Sequence, residues 1–251
     1  MSITSWHQRG GQGSRTVLLL HGLGATGAVW SGLQPLLEQR SYAWVAPDFS
    51  GHGLSPWQDH YSVGQLAAAV APLVQDTREL FIVGHSLGVY VGLALASGWF
   101  GVRAQGVLGI GPKINWSDAD LQGSRELAAR PARWYAQEAE ALARYRRMSG
   151  LDETVAPDEH SLARGIAQAE QGFRLAQDPR TFMVAGAPFA TLIASAATQV
   201  TLARGERDGM VSLPELREYC GNAQDIAGAG HNVHAEDPAA VAALLDQLIA
   251  D

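Results

Sequence analysis

Residues 81–96, FIVGHSLGVYVGLALA, place one serine, Ser86, between Gly84 and Gly88, where an apolar strand-like run gives way to a small-residue helical run. A strand that turns abruptly into a helix forces its corner residue into strained backbone geometry, and glycines two before and two after remove the Cβ atoms that would collide there. The serine is then held out at the edge of a sheet beside a helix N-terminus, whose dipole favours developing negative charge. That is a setting for a nucleophile, and a hydroxyl needs a base to take its proton. Of the eight histidines, His85 adjoins the serine on a turn where neighbouring side chains diverge. His7, His21, His52, His60 and His160 come too early for a chain order of serine, acid and histidine. His231 and His234 remain, in AGAGHNVHAEDP. His231 follows the last predicted strand in a glycine-rich loop, from which an imidazole reaches back across the top of the sheet. His234 is read as a surface or supporting residue. An HxxH pair with no third ligand beside it is not a metal site, and no metal is expected.

A third group must orient the imidazole and stabilise its cation. LARGERDGMVS ends a predicted strand and then presents Glu206 and Asp208. Asp208 is the better placed, just beyond the strand and followed by Gly209. Glu206 is the fallback, and Asp48 is a third carboxylate at a strand end. A tetrahedral intermediate also needs donors for its oxyanion. LLLHGLGATG follows the first long strand, so the main-chain amides of Leu23 and Leu87 are the expected donors, with His21 bracing the loop.

Such groups need a scaffold. Strands are predicted at 16–22, 43–48, 80–85, 105–111, 199–205 and 223–228, with one or two antiparallel edge strands before residue 16. Their continuous apolar character suits strands buried on both faces. Helices are expected at about 28–40, 62–76, 87–99, 181–197, 212–220 and 238–250. Ser62 and Gln65 form a capping box for the second. Asp237-Pro238 opens the last with an N-cap and a proline at the first helical position. Strands alternating with helices predict an α/β fold, a mostly parallel sheet with helices on both faces. Residues 113–180 are too long for a single crossover and read as a helical cap, which divides the core into 1–112 and 181–251.

The chain has 251 residues, a formal net charge of −7 and 47% hydrophobic residues. This length suits one large α/β domain, and the negative charge argues against a nucleic-acid or anionic-membrane partner. Cys220 is the only cysteine, so an internal disulfide is excluded. No signal-peptide-like run and no apolar stretch of membrane-helix length is present, so a cytoplasmic protein is expected. Oligomeric state is not legible. Lys113, the only lysine, follows a strand end at the mouth of the cap. It is a candidate for holding a substrate carboxylate or carbonyl, set against a solvated rim position. Trp116, Trp134 and Tyr135 are candidates for an apolar acyl pocket, set against simple packing. Arg144, Arg146 and Arg147 could meet an acid group. The ten basic and eleven acidic side chains of residues 113–180 favour instead an ordinary solvated face.

HGLGATG at 21–27, PDFSGHGLS at 47–55, GHSLG at 84–88, GERDGMVS at 205–212 and GHNVHAEDP at 230–238 together resemble the α/β-hydrolase superfamily. The likeness is to its small bacterial-type branch of esterases, lactonases, cofactor-free haloperoxidase-like enzymes and carbon–carbon bond hydrolases. The motifs fall in the family's order and cover the chain outside residues 113–180. The resemblance implies Ser86 as nucleophile, His231 as general base and acid, Asp208 as orienting acid, and no cofactor. Serine where dehalogenases and epoxide hydrolases carry aspartate argues against both those activities. The loop DFSGHGLS is implied to be structural. The expected function is hydrolysis of a small-molecule carboxylic ester or related acyl compound. The alternatives are cleavage of a dienone or β-diketone acid by the same triad, and a slow, receptor-like relative.

Overall fold

The computed structural model describes residues 5–151 and 159–250. Strands β1 (His7–Gly10), β2 (Arg15–Leu20) and β3 (Ala43–Pro47) come first, with a 3₁₀ turn (Gly27–Trp30) and α1 (Gln34–Gln39) between the last two. Helix α2 (Val63–Val70), β4 (Glu79–His85), α3 (Leu87–Ala96) and β5 (Ala104–Ile110) follow. The intervening segment holds α4 (Asp118–Ala129), α5 (Glu138–Ser149), α6 (Glu159–Ala163) and a hairpin of β6 (Ile166–Ala169) and β7 (Gly172–Leu175). The chain then returns through α7 (Phe189–Ser195), β8 (Gln199–Gly205), α8 (Leu213–Arg217), β9 (Gln224–Ile226), α9 (Val233–Glu236) and α10 (Pro238–Ala250).

The main sheet runs β1-β3-β2-β4-β5-β8-β9, parallel except for β1, which pairs antiparallel with β3 from His7↔Pro47 to Gly10↔Trp44. Val17 through Leu20 are wholly buried, as their unbroken apolar run requires of a strand covered on both faces. All ten residues of α3 are buried, so this helix is a core element rather than an amphipathic one. On the opposite face α10 buries Val241, Ala242, Leu244, Leu245 and Leu248, each large side chain contributing roughly 1.5–3 kcal/mol. Among the described residues no helix is long and apolar enough to cross a membrane.

Prolines explain where predicted helices were cut. The expected 28–40 helix divides before Pro35, which sits in the first turn of α1. The 62–76 helix yields to a 3₁₀ turn (Ala71–Leu73) at Pro72, and Gly186, at φ 77°, with Pro188 divides 181–197 into a 3₁₀ turn (Pro179–Val184) and α7. Ser62 Oγ accepts from the Gln65 amide at 3.2 Å, and Asp237 Oδ1 accepts from Ala240 at 2.9 Å as the N-cap of α10. The hairpin within residues 113–180 was not anticipated: its strands are only four residues long and carry no alternating pattern.

One buried ion pair ties this intervening segment to the core. Asp48, at the end of β3, is fully buried and pairs with Arg164, which is 6% exposed and packs over Trp6 at 4.1 Å. The same carboxylate accepts from the amides of Gly27 (2.8 Å) and Leu54 (3.0 Å), so it also holds two loops. His21 donates from Nδ1 to the Gly22 carbonyl (2.8 Å) and accepts at Nε2 from Phe49 (3.0 Å). His52 accepts at Nε2 from the Gly24 amide at 3.2 Å. Each ring is used as a neutral imidazole, one nitrogen donating and the other accepting. Burial pushes both pKa values down from 6.5 to about 3, and for His52 the neighbouring His21 adds to the effect.

Two outcomes follow. Replacing Arg164 by methionine strands the Asp48 charge and should cost about 3–5 kcal/mol in urea unfolding; a loss below about 1 kcal/mol would show that the pair does not anchor the segment. Below pH 6.5 the unfolded chain takes up protons at His21 and His52 that the folded chain refuses. Stability is therefore complete above pH 6.5 and falls on acidification towards pH 3, by up to about 1.4 kcal/mol per pH unit for each ring. Unfolding midpoints compared at pH 7.5, 6 and 5 measure this, and a flat profile would contradict it.

Candidate active site

The strand-to-helix corner between β4 and α3 is built as its glycines suggest. Ser86 has φ 51° and ψ −113°, one of two non-glycine residues with positive φ among those described. A Cβ on Gly84 would lie 2.5 Å from the Gly88 carbonyl oxygen, and one on Gly88 would lie 2.1 Å from that of Leu20. Only hydrogen at both positions permits the turn. The Ser86 amide donates to Ile110 of the neighbouring strand at 2.9 Å, which fixes the corner to the sheet. Leu87 opens α3, so its N–H has no intrahelical partner and points out at the helix end. Leu23, Ser86 and Leu87 share one cavity of about 380 Å³ with His231.

His231 leaves β9 on a loop and donates from Nδ1 to Asp208 Oδ2 at 2.8 Å. This bond leaves Nε2 as the nitrogen with a free lone pair. Asp208 has a fully buried side chain and its Oδ1 accepts from the Met210 amide at 2.8 Å. The other two carboxylates are engaged elsewhere: Glu206 accepts from the Gly228 amide at 2.8 Å, and Asp48 is paired with Arg164. Gly111, at φ 57°, lets the end of β5 pass beneath this pair, where a Cβ would stand 2.9 Å from Asp208 Oδ2 and 3.2 Å from His231 Nδ1.

Two histidines support the loop. His85 Nε2 donates to the His231 carbonyl at 2.9 Å, and its ring lies 4.7 Å from that of His231 and 4.3 Å from that of His234. His234 is 1% exposed and packs against Trp30, the rings 4.7 Å apart and tilted by 45°; of the two readings the sequence allowed, surface and supporting, it takes the second. Burial pushes the pKa of His85 well below 6.5 and that of His234 down to about 3, and the neighbouring imidazoles add to the shift. Both rings are therefore neutral packing elements. Asn232 Nδ2 donates to the Gly150 carbonyl at 3.0 Å, joining the histidine loop to the end of α5.

Lys113 and Trp116 line the cavity, with the ammonium 4.7 Å over the indole and 3.0 Å from Asp120. Trp134 lies elsewhere: it is 38% exposed and stands 5.6 Å from the Arg174 guanidinium, away from the cavity wall. The far wall is formed by Arg147, Met148, Phe182 and Val184, whose approach no local pattern announces. His85, read from the sequence as structural rather than catalytic, has that place here, and its bond to the His231 carbonyl is the detail the local pattern does not announce.

Residues 17–244 match the model of the alpha/beta hydrolase family. Among curated proteins, the dihydrolipoyllysine-residue acetyltransferase component of the acetoin cleaving system of Cupriavidus necator is 31% identical over 198 residues, 71% of this chain and 52% of that protein. The pimeloyl-[acyl-carrier protein] methyl ester esterase of Methylococcus capsulatus is 32% identical over 168 residues, 62% of this chain and 60% of that protein. The matches thus span less than two thirds of either relative's length. Among solved structures, E-2-(acetamidomethylene)succinate hydrolase superposes with a TM-score of 0.78 at 19% identity, covering 98% of this chain and 94% of that one. At that identity the likeness is one of fold. With the family model spanning nearly the whole chain, this protein belongs to the alpha/beta hydrolase family.

Proposed function

We propose that the chain is a serine hydrolase that cleaves a carboxylic ester, or a related acyl bond, of a small molecule through an acyl-enzyme. The observation that carries this reading is the meeting of Ser86, held at φ 51°, with the Asp208–His231 pair at one cavity. Ser86 Oγ adds to the substrate carbonyl as His231 Nε2 takes the hydroxyl proton. The negative charge that develops on the carbonyl oxygen is met by the Leu23 and Leu87 amides. Collapse of the tetrahedral adduct breaks the bond to the alcohol, which leaves with the proton from His231. Water then attacks the acyl-serine with His231 again as base, and the second collapse frees the acid and restores the serine. Asp208 keeps the imidazole in the required tautomer and stabilises its cation. No metal or organic cofactor enters these steps.

A carbon–carbon bond hydrolase acting on a dienone or β-diketone acid would use the same triad. The lysine at the cavity wall, one candidate for meeting such a substrate's carboxylate, is already paired with Asp120. The relative whose name describes a methyl ester esterase favours an ester.

A fluorophosphonate probe should label the wild-type protein at Ser86 and leave Ser86→Ala unlabelled; an unlabelled wild type would sink the enzymatic reading and leave the receptor-like one. On p-nitrophenyl acetate, Asp208→Asn should lower kcat by about 10³–10⁴-fold with little change in KM. Glu206→Gln, whose parent side chain caps the Gly228 amide, should leave kcat within about twofold. Equal losses in the two variants would move the orienting role away from Asp208.

A further inference from the structure

A second cavity, about 580 Å³, adjoins the first and shares Arg147, Met148 and Phe182 with it as a common wall. Four arginines face it: Arg130 at the end of α4, Arg133 in the following loop, and Arg144 and Arg147 on α5. Arg144 and Arg147 are three residues apart and so project from one side of their helix. Among the described residues none of the four is in an ion pair, and Arg133 makes only a cation–π contact with Tyr135 at 4.9 Å. Among the described residues Glu140 is the one acid on the wall, and it is paired with none of them. The near-balance of charge along residues 113–180 therefore does not extend to this groove, which among the described residues gathers four cations and one anion in a chain of net charge −7. Leu127, Pro131, Leu175 and Pro179 add apolar lining.

We propose that this groove binds the anionic far end of the substrate, a carboxylate or a phosphate carried at the end of an apolar chain whose scissile carbonyl lies at Ser86. Guanidinium groups present paired donors that match either oxyanion, and unpaired cations crowded in one groove gain most from such a partner. The apolar lining residues accept the methylenes, and Met148 and Phe182, shared by both cavities, mark where the chain would pass from one to the other. The inference deepens the ester-hydrolase reading and rests on it for its catalytic consequence.

The test compares p-nitrophenyl octanoate with mono-p-nitrophenyl suberate, and hexyl butyrate with the butyrate esters of 6-hydroxyhexanoate and 6-hydroxyhexyl phosphate. The two sets place the charge on the acyl arm or on the alcohol arm. In wild type at least one charged ester should exceed its neutral counterpart in kcat/KM by about tenfold, and the Arg130→Gln/Arg133→Gln/Arg144→Gln variant should abolish that ratio, chiefly through KM. Preference for the carboxylate or for the phosphate ester identifies the natural anion. A charged-to-neutral ratio near one in wild type, or one that survives the triple substitution, overturns the proposal. Calorimetric binding of monomethyl suberate and hexyl phosphate to Ser86→Ala reads the groove without turnover. If neither binds more tightly than methyl octanoate, the groove is not an anion site. Absence of all ester turnover and of fluorophosphonate labelling, with anion binding retained, would instead condemn the hydrolase reading and leave the groove standing.

Discussion

The structure depends on a close approach between backbones. At the end of β4 the chain reverses within a space that has no room for a methyl group on Gly84 or Gly88, and Ser86 takes up a left-handed conformation between them. Such a conformation costs on the order of 1–3 kcal/mol and persists only where the surroundings over-determine it. Here they do. The Ser86 amide is tied to Ile110, and the helix that follows is buried along its whole length, so the corner cannot relax without disturbing its bond to β5 and the packing of α3. Core packing thus holds the serine in place, and the N-terminus of α3 is aimed at the cavity as a by-product.

The loops around this corner are held by polar groups kept out of water. Asp48 accepts from two loop amides and from Arg164, while His21, His52 and His85 hold loop backbone groups as neutral rings and His234 packs against Trp30 and His85. His21 and His52 suit this use because a neutral imidazole donates and accepts on opposite sides of a rigid ring. Asp208 differs in its setting: it is buried like Asp48, yet its partner His231 stays partly exposed at the cavity.

The sequence was most legible where chemistry and backbone demand coincide. Ser86, Asp208 and His231 stand in glycine-bearing motifs at strand ends, and the six predicted strands of the main sheet lie within one or two residues of those observed. Legibility failed where partners are distant in the chain. Nothing in the local pattern around Arg164 announces Asp48, 116 residues away, and the hairpin β6–β7 is too short to show a period. Trp134 has the composition of a pocket residue and sits outside the pocket, because an aromatic in a loop carries no record of the direction it faces. The arginines of residues 113–180 were hidden by averaging, since a balanced count along the sequence is compatible with strong segregation in space.

Lys113 has one more consequence. It is the only lysine, and its ammonium lies at the cavity wall between Asp120 and Trp116. Amine-directed reagents therefore meet one side chain besides the chain's amino terminus. A dye or surface tether attached by such chemistry would fall at the mouth of the cavity. Immobilisation through amines would obstruct the site, whereas an environment-sensitive amine label would report its occupancy without any engineered cysteine.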